Sequence, residues 1–222
     1  MPQIIESDYL IVGAGGMGMA FADEILTHSH SATITMVDKN FKPGGHWNYA
    51  YPFVRLHQTS TCYGVNSTEL GGNRVDKIGF NKGCYELASG SEVLSYFDNV
   101  MRRRFLPSGR VTYLPMCEYQ EDGKAINLVS GTEYEFRARK IVNASYMNVT
   151  VPAIRPPSYS SSADVNVVPV NELPNVVPHH ENIVIVGSGK TGMDACLFLL
   201  SNGCHPDRIT WIMPINNHFI SL

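Results

Sequence analysis

The stretch Tyr9-Leu10-Ile11-Val12-Gly13-Ala14-Gly15-Gly16-Met17-Gly18 decides the fold. Four apolar residues run into a G-x-G-x-x-G turn, and a helical pattern follows as far as His28. Each glycine has its own task. Gly13 permits the tight turn, Gly15 lets backbone approach a pyrophosphate, and Gly18 lets the helix pack on the strand. The helix start adds unpaired N–H groups and a partial positive charge, both suited to phosphate. The pattern recurs at Ile183-Val184-Ile185-Val186 followed by Gly187-Ser188-Gly189-Lys190-Thr191-Gly192. One match is weak evidence. Two, each between a strand and a helix, point to a chain built to hold two nucleotides. The common use of that arrangement is to pass electrons from one to the other.

Outward from the first turn, Gly16 to His28 reads as a helix with Met17, Ala20, Phe21, Ile25 and Leu26 on its apolar face. Thr33 to Val37 is the next strand, and Asp38 closes it about 20 residues beyond Gly18, where an acid binds a ribose. Lys39, next to Asp38, is counted with that site. A loop-rich stretch runs from Lys42 to about Gly90, and loops of that length inside a domain are usually functional. Ser91 is placed to cap a helix over 92–105, with Leu94, Phe97, Met101 and Phe105 on one side, stopped by Pro107-Ser108-Gly109. Val111–Leu114 is a third parallel strand. Cys117–Gln120, Ala125–Val129 and Glu133–Arg137 form three short antiparallel strands, and Lys140–Ala144 returns to the parallel sheet. The proline-rich 150–180 region reads as a linker with one short strand at Val167–Val170. A second βαβ unit then spans Asn182–Val186, a helix from about Thr191 to Asn202, and Arg208–Met213. The expected fold class is α/β: a Rossmann-like domain with a three-stranded antiparallel insert, then the first βαβ unit of a second Rossmann-like domain. The expected boundaries are 1–157 for the first domain, 158–180 for the linker and 181–222 for the partial second domain.

Bulk properties narrow the function. The 222 residues are 44% hydrophobic and 17% charged, with net charge −3. That balance is globular and gives no ground for nucleic-acid or anionic-membrane partners. The run Arg102-Arg103-Arg104 reads as a solvated helix end complementing the macrodipole. The five cysteines are odd in number and include no C-x-x-C, which suits a reduced, cytoplasmic protein and no metal site. No basic leader and no apolar run of about 20 residues is visible. The acceptor patterns at Asn66, Asn143 and Asn148 are then chance matches.

Gly44-Gly45-His46-Trp47 and Tyr51-Pro52-Phe53-Val54-Arg55-Leu56-His57 resemble the G-G-x-W…Y-P-x-x-R segment of flavin-containing and Baeyer–Villiger monooxygenases. The stretch Ile141-Val142-Asn143-Ala144-Ser145…Pro152 stands where that class carries A-T-G…P. The resemblance covers nearly the whole chain and implies FAD at the first turn and NAD(P)H at the second. It implies that Gly45, His46, Trp47 and Ala144 line the FAD site, with Gly13, Gly15, Gly16, Met17, Gly18 and Asp38. Arg55, His57 and Gln58 would lie near the reacting ring as the catalytic set. At His57 relatives carry Asn or Asp, and an imidazole there would donate a hydrogen bond to reduced flavin, with simple ordering of the loop as the plainer role. Trp47 and Tyr51 would wall the cofactor. Cys117 opens the insert where relatives offer backbone to adenine, and its thiol has no chemistry to do.

At the second turn Gly187, Gly189, Lys190, Thr191 and Gly192 resemble the nicotinamide site, with Asp194 in the following helix. The Gly-Lys-Thr run is no P-loop, because Val184 stands where its first glycine belongs. About 20 residues beyond Gly192 the chain reads Ile212-Met213-Pro214, with neither an acid for NAD nor an arginine for NADP. The family's F-x-G-x-x-x-H signature is absent between Pro157 and His180. His179-His180 reads as surface. Phe219-Ile220-Ser221-Leu222 stops short of the family's full second fold, so a fragment is expected, or a second copy or partner chain covering an unfinished sheet. The reading is an FAD-dependent, monooxygenase-like oxidoreductase reduced by NAD(P)H and acting on a small molecule. The rival is a non-catalytic FAD- or nucleotide-binding module. A plain nicotinamide dehydrogenase is disfavoured: Tyr63, Tyr85, Tyr96 and Tyr113 all lack a lysine four residues on.

Overall fold

Strand β1 (Gln3–Val12) organises the molecule. The computed structural model describes residues 2–145, 159–177 and 182–213. β1 begins well before the apolar run, because Gln3 to Ser7 pair in parallel with Tyr134 to Ala138. That leading half is partly exposed and mixes polar with apolar residues, so it carries no continuous apolar signature. Helix α1 (Gly16–His28) returns the chain to β2 (Ile34–Asp38), every residue of which is buried. A small hairpin, β3 (Gly64–Val65) and β4 (Thr68–Glu69), lies within the loop-rich stretch. Helix α2 (Gly90–Val100) and β5 (Val111–Pro115) follow, then β6 (Cys117–Gln120), β7 (Lys124–Asn127) and β8 (Glu133–Asn143).

The main sheet runs β5-β2-β1-β8-β7-β6. Its first three junctions are parallel and its last two antiparallel. This is a mixed α/β fold with a mostly parallel central sheet. β8 corrects the expectation of two separate strands at 133–137 and 140–144. It is one strand because it has two partners. Glu133 to Glu135 pair antiparallel with β7 on one side, while Tyr134 to Asn143 pair with β1 on the other. Leu10, Val12, Val37, Cys117, Ala125 and Phe136 close one core under this sheet.

Two helices correct the periodicity reading. On α1 the buried stripe is Gly18, Met19, Ala22, Asp23 and Leu26, while Met17 is 75% exposed. The stripe keeps helical spacing but includes a carboxylate, which hydropathy places outside. Asp23 is fully buried and accepts from Ser67 N–H at 2.9 Å, Ser67 Oγ at 2.5 Å and Arg104 Nε at 2.5 Å. Arg104 is therefore no solvated helix end, although Arg102 pairs with Asp98 at the surface. α2 starts at Gly90, so Ser91 sits inside the first turn instead of capping it. After Val100 the helix widens into a π turn at Met101–Phe105, which seats both end residues in the core. A short 3-10 turn follows, and Gly109 at φ 68° ends it as expected.

The chain divides into two compact units. One comprises Met1–Tyr49, Ser60–Asn73 and Ser91–Asn148; the other comprises Ala50–Thr59, Arg74–Gly90 and Val149–Leu222. In the second, α3 (Leu173–Val176), β9 (Ile183–Val186), α4 (Lys190–Ser201) and β10 (Ile209–Ile212) surround Leu173, Ile185, Ala195, Leu199 and Cys204. β9 and β10 are parallel, completing the expected βαβ unit. No strand forms at Val167–Val170; a 3-10 turn at Val170–Glu172 leads into α3, whose Leu173 enters the core. Pro152, the Asn148 acceptor pattern, His179-His180, Pro214 and Phe219–Leu222 lie outside the described residues.

Candidate functional site

The first glycine turn is a cradle whose walls are backbone. Gly13 has φ +102°, a conformation L side chains rarely adopt, and its N–H donates to the Val37 carbonyl at 2.8 Å. A Cβ on Gly18 would overlap the Gly13 carbonyl oxygen. A Cβ on Gly13 would come within 3.2 Å of the Ala144 carbonyl oxygen, while the Ala144 N–H donates to Val12. Ala144 thus closes the cradle from β8. Gly45 closes it from the other side. Its own Cβ would lie 3.0 Å from the Gly15 Cα, and the Gly44 N–H donates to the Ala14 carbonyl at 2.8 Å. Helix α1 opens here with no side-chain cap and no acid in its first turn. The N–H groups of Gly16, Met17 and Gly18 therefore head a helix whose positive end is not neutralised by its own sequence.

Asp38 stands at the end of β2, 5% exposed. One carboxylate oxygen accepts the Ala14 N–H at 2.6 Å and the other accepts the Asn40 N–H at 2.7 Å. Burial pushes its pKa above the ordinary value, opposed by those two N–H donors. Asp38 thus pins the glycine turn to β2, and lone pairs remain on both oxygens for a further donor. Lys39 is exposed beside it. The Tyr113 hydroxyl, on β5, is a buried polar atom with no partner, and burial and then the Asp38 charge raise its pKa. The sequence reading missed Tyr113; its only signal was a phenol on a strand beside that of Asp38.

Trp47 is 9% exposed and donates from Nε1 to the Tyr63 hydroxyl at 2.7 Å. That phenol also lies 3.3 Å from where a Gly16 Cβ would stand. Tyr63, also missed, therefore braces both Trp47 and the helix start. Partial burial lowers the His46 pKa, so its imidazole is neutral at pH 7. Cys117 is 1% exposed, accepts a hydrogen bond from Asn127 Nδ2 at 3.5 Å, and is pushed up in pKa by burial. A thiol so placed is inert.

The second unit repeats the turn. Gly187 has φ +126°, and a Cβ on Gly192 would overlap its carbonyl oxygen. Trp211 on β10 donates to that same carbonyl at 2.7 Å. Gly189 has open space around it, and α4 starts with no side-chain cap and no acid in the first turn. The Lys190 ammonium pairs with Asp194 and donates to the Arg55 carbonyl at 2.8 Å. Arg55, His57 and Gln58 belong to this unit. Arg55 donates to the Leu87 carbonyl at 2.9 Å, His57 is exposed, and Gln58 is half-buried. Leu56, 3% exposed, anchors the segment, its N–H donating to the Ala88 carbonyl at 2.9 Å. Among the described residues, no group of three or more His, Cys, Asp or Glu is placed to hold a metal ion. None of their helices is long and apolar enough to cross a membrane.

No family model matches the chain. Uncharacterized proteins of Mycobacterium bovis and of Mycobacterium tuberculosis strain H37Rv are each 50% identical to it over 217 residues, 97% of this chain and 40% of theirs. The chain therefore spans 40% of the length of the curated relatives it matches. Among solved structures, a doubly substituted flavin monooxygenase from Stenotrophomonas maltophilia is similar with TM-score 0.62 at 16% identity, over all of this chain and 60% of that one. A bacillithiol disulfide reductase from Staphylococcus aureus is similar with TM-score 0.60 at 14% identity, over 99% of this chain and 59% of that one. At such identities the likeness is one of fold, and it is the fold of flavin-dependent monooxygenases and disulfide reductases.

Proposed function

We propose that this chain is the nucleotide-binding part of an FAD-dependent oxidoreductase, monooxygenase-like, that draws electrons from NAD(P)H. The observation that carries the reading is the repeated cradle. In two places the carbonyl oxygen of a positive-φ glycine lies where a third glycine's Cβ would be, ahead of an uncapped helix. That geometry suits a pyrophosphate and serves no packing purpose that alanine could not meet at Gly15 or Gly189. The first unit is read as the Rossmann-like FAD domain with β6, β7 and the start of β8 as its antiparallel insert. β9, α4 and β10 are read as the opening of the nicotinamide domain, after a linker over 158–180.

FAD, when bound, supplies the redox chemistry, accepting hydride from nicotinamide and passing electrons to oxygen or another acceptor. The protein supplies position. Gly16, Met17 and Gly18 offer backbone N–H groups to one pyrophosphate; Lys190 and Thr191 offer theirs to the other. Asp38 accepts from ribose hydroxyls, Lys39 lies beside it, and Tyr113 offers a buried hydroxyl on the neighbouring strand. Gly45, His46, Trp47 and Ala144 wall the FAD cradle. Arg55, His57 and Gln58 are assigned to the reacting ring on the resemblance alone. A second reading, flavin binding without nicotinamide chemistry, is favoured by the Lys190 side chain being paired internally.

The test is the visible spectrum of the purified chain, before and after NADPH without oxygen. A flavin spectrum that bleaches supports both sites. A flavin spectrum that persists supports the second reading. A colourless protein that takes up no added FAD overturns both for this chain.

A further inference from the structure

Lys190 is an odd choice for the first residue of a helix. A cation there opposes the helix dipole, and lysine four residues before aspartate is the weaker order for an ion pair on a helix. Its ammonium nonetheless pairs with Asp194, which is 9% exposed. Residues 51–56 account for the arrangement. The Tyr51 hydroxyl donates to Asp194 Oδ2 at 2.7 Å and also hydrogen-bonds the Thr191 side chain. Lys190 Nζ donates to the Arg55 carbonyl at 2.8 Å. Phe53 stacks on Phe198, one face further along α4, with ring centroids 4.3 Å apart. All three polar side chains of the first α4 turns are thus directed at one segment. The same segment is held on its other edge by Leu56 N–H to Ala88 and by Gly90 N–H to the Val54 carbonyl.

We infer that Lys190 and Asp194, with Tyr51, are positioning residues that hold the 51–56 segment in place, directly ahead of His57 and Gln58, and that the Lys190 side chain is not a ligand of the nucleotide phosphate. The inference deepens the proposed function, since it rests on that reading for what Arg55, His57 and Gln58 would face. The helix that follows the second nucleotide turn then also sets the position of Arg55, within the same unit. Asp194 is the hub. It neutralises Lys190, orients the ammonium toward the Arg55 carbonyl, and takes the Tyr51 proton donor on the same oxygen. The backbone N–H groups of the turn remain for a pyrophosphate.

Amide hydrogen exchange, read by mass spectrometry on the full chain without flavin or nucleotide, tests this. Lys190→Met keeps the aliphatic stem and removes the charge. Exchange in peptides covering 51–56 is expected to rise roughly tenfold, as loss of a charged hydrogen bond implies. Exchange in α4 and in the first unit stays at the parent level. Lys190→Arg, which keeps a cation, is expected to return exchange toward the parent. Asp194→Asn and Tyr51→Phe loosen the same peptides and stand in if Lys190→Met does not fold. Unchanged exchange at 51–56 in Lys190→Met, with weaker binding of ADP-ribose, would make Lys190 a phosphate ligand and overturn the inference. A uniform rise across all peptides would overturn it as well, leaving Lys190 merely structural. Because no cofactor is present, a chain that never binds flavin defeats the proposed function without touching this result.

Discussion

A methyl group on Gly18 would sit on the Gly13 carbonyl oxygen, and backbone cannot step aside as a flexible side chain can. Gly18→Ala is expected to cost about 2 kcal/mol, and Gly192→Ala, against Gly187, the same. Gly15 differs. Its backbone is extended, at φ −81° and ψ −173°, and its added Cβ would meet only Gly45 at an ordinary 3.4 Å. Gly15→Ala should change stability by no more than about 0.5 kcal/mol while filling the space a pyrophosphate needs. Urea unfolding of both variants beside flavin uptake checks the contrast. Asp38 gives a pH signature. Its native pKa is raised above 3.8, so the native state holds its proton at higher pH than the unfolded chain. Its contribution is fully present below 3.8 and is lost as pH rises through the raised native value. Unfolding midpoints of the parent should show that decline, and Asp38→Asn should remove that limb from the profile.

At the scale of elements, α1 and the π turn after α2 are joined by a charge pair that hydropathy hides. Asp23 is fully buried and Arg104 is its only cationic partner among the described residues. Arg104→Met would leave a buried carboxylate with Ser67 alone. It should destabilise the fold by about 3 kcal/mol, read from the denaturant midpoint. Restoring neutrality with Asp23→Asn in the same chain should recover part of that loss, as a double-mutant cycle would show. Strand and helix identities were legible from sequence because period and turn chemistry are local. The glycine turns, α4 with its two strands, and the β6–β7 hairpin were read correctly for that reason. The leading half of β1 and the continuity of β8 were not. Each depends on which strand lies alongside, and no local pattern records a partner more than a hundred residues away.

At the scale of the whole molecule, the two cradles are expected to act separately. Gly15→Ala should yield a chain without a flavin spectrum. Gly189→Ala, in open space with φ −78°, should keep the spectrum and fail to bleach with NADPH. Anaerobic titration of both variants checks this division. Loss of bound flavin in Gly189→Ala would count against it. The sequence by itself determined the mixed α/β class, both glycine turns and their helices, and the place of Asp38, because these follow from periodicity and from what only glycine permits. Tertiary structure alone decided the rest. It turned Lys190 toward Asp194 and Arg55, grouped residues 50–59 with the second turn, and set Tyr63 and Tyr113 beside the first. Those are contacts between segments distant in the chain, fixed by packing and by the need of buried polar groups for partners. Neither requirement leaves a mark on its own few neighbouring residues.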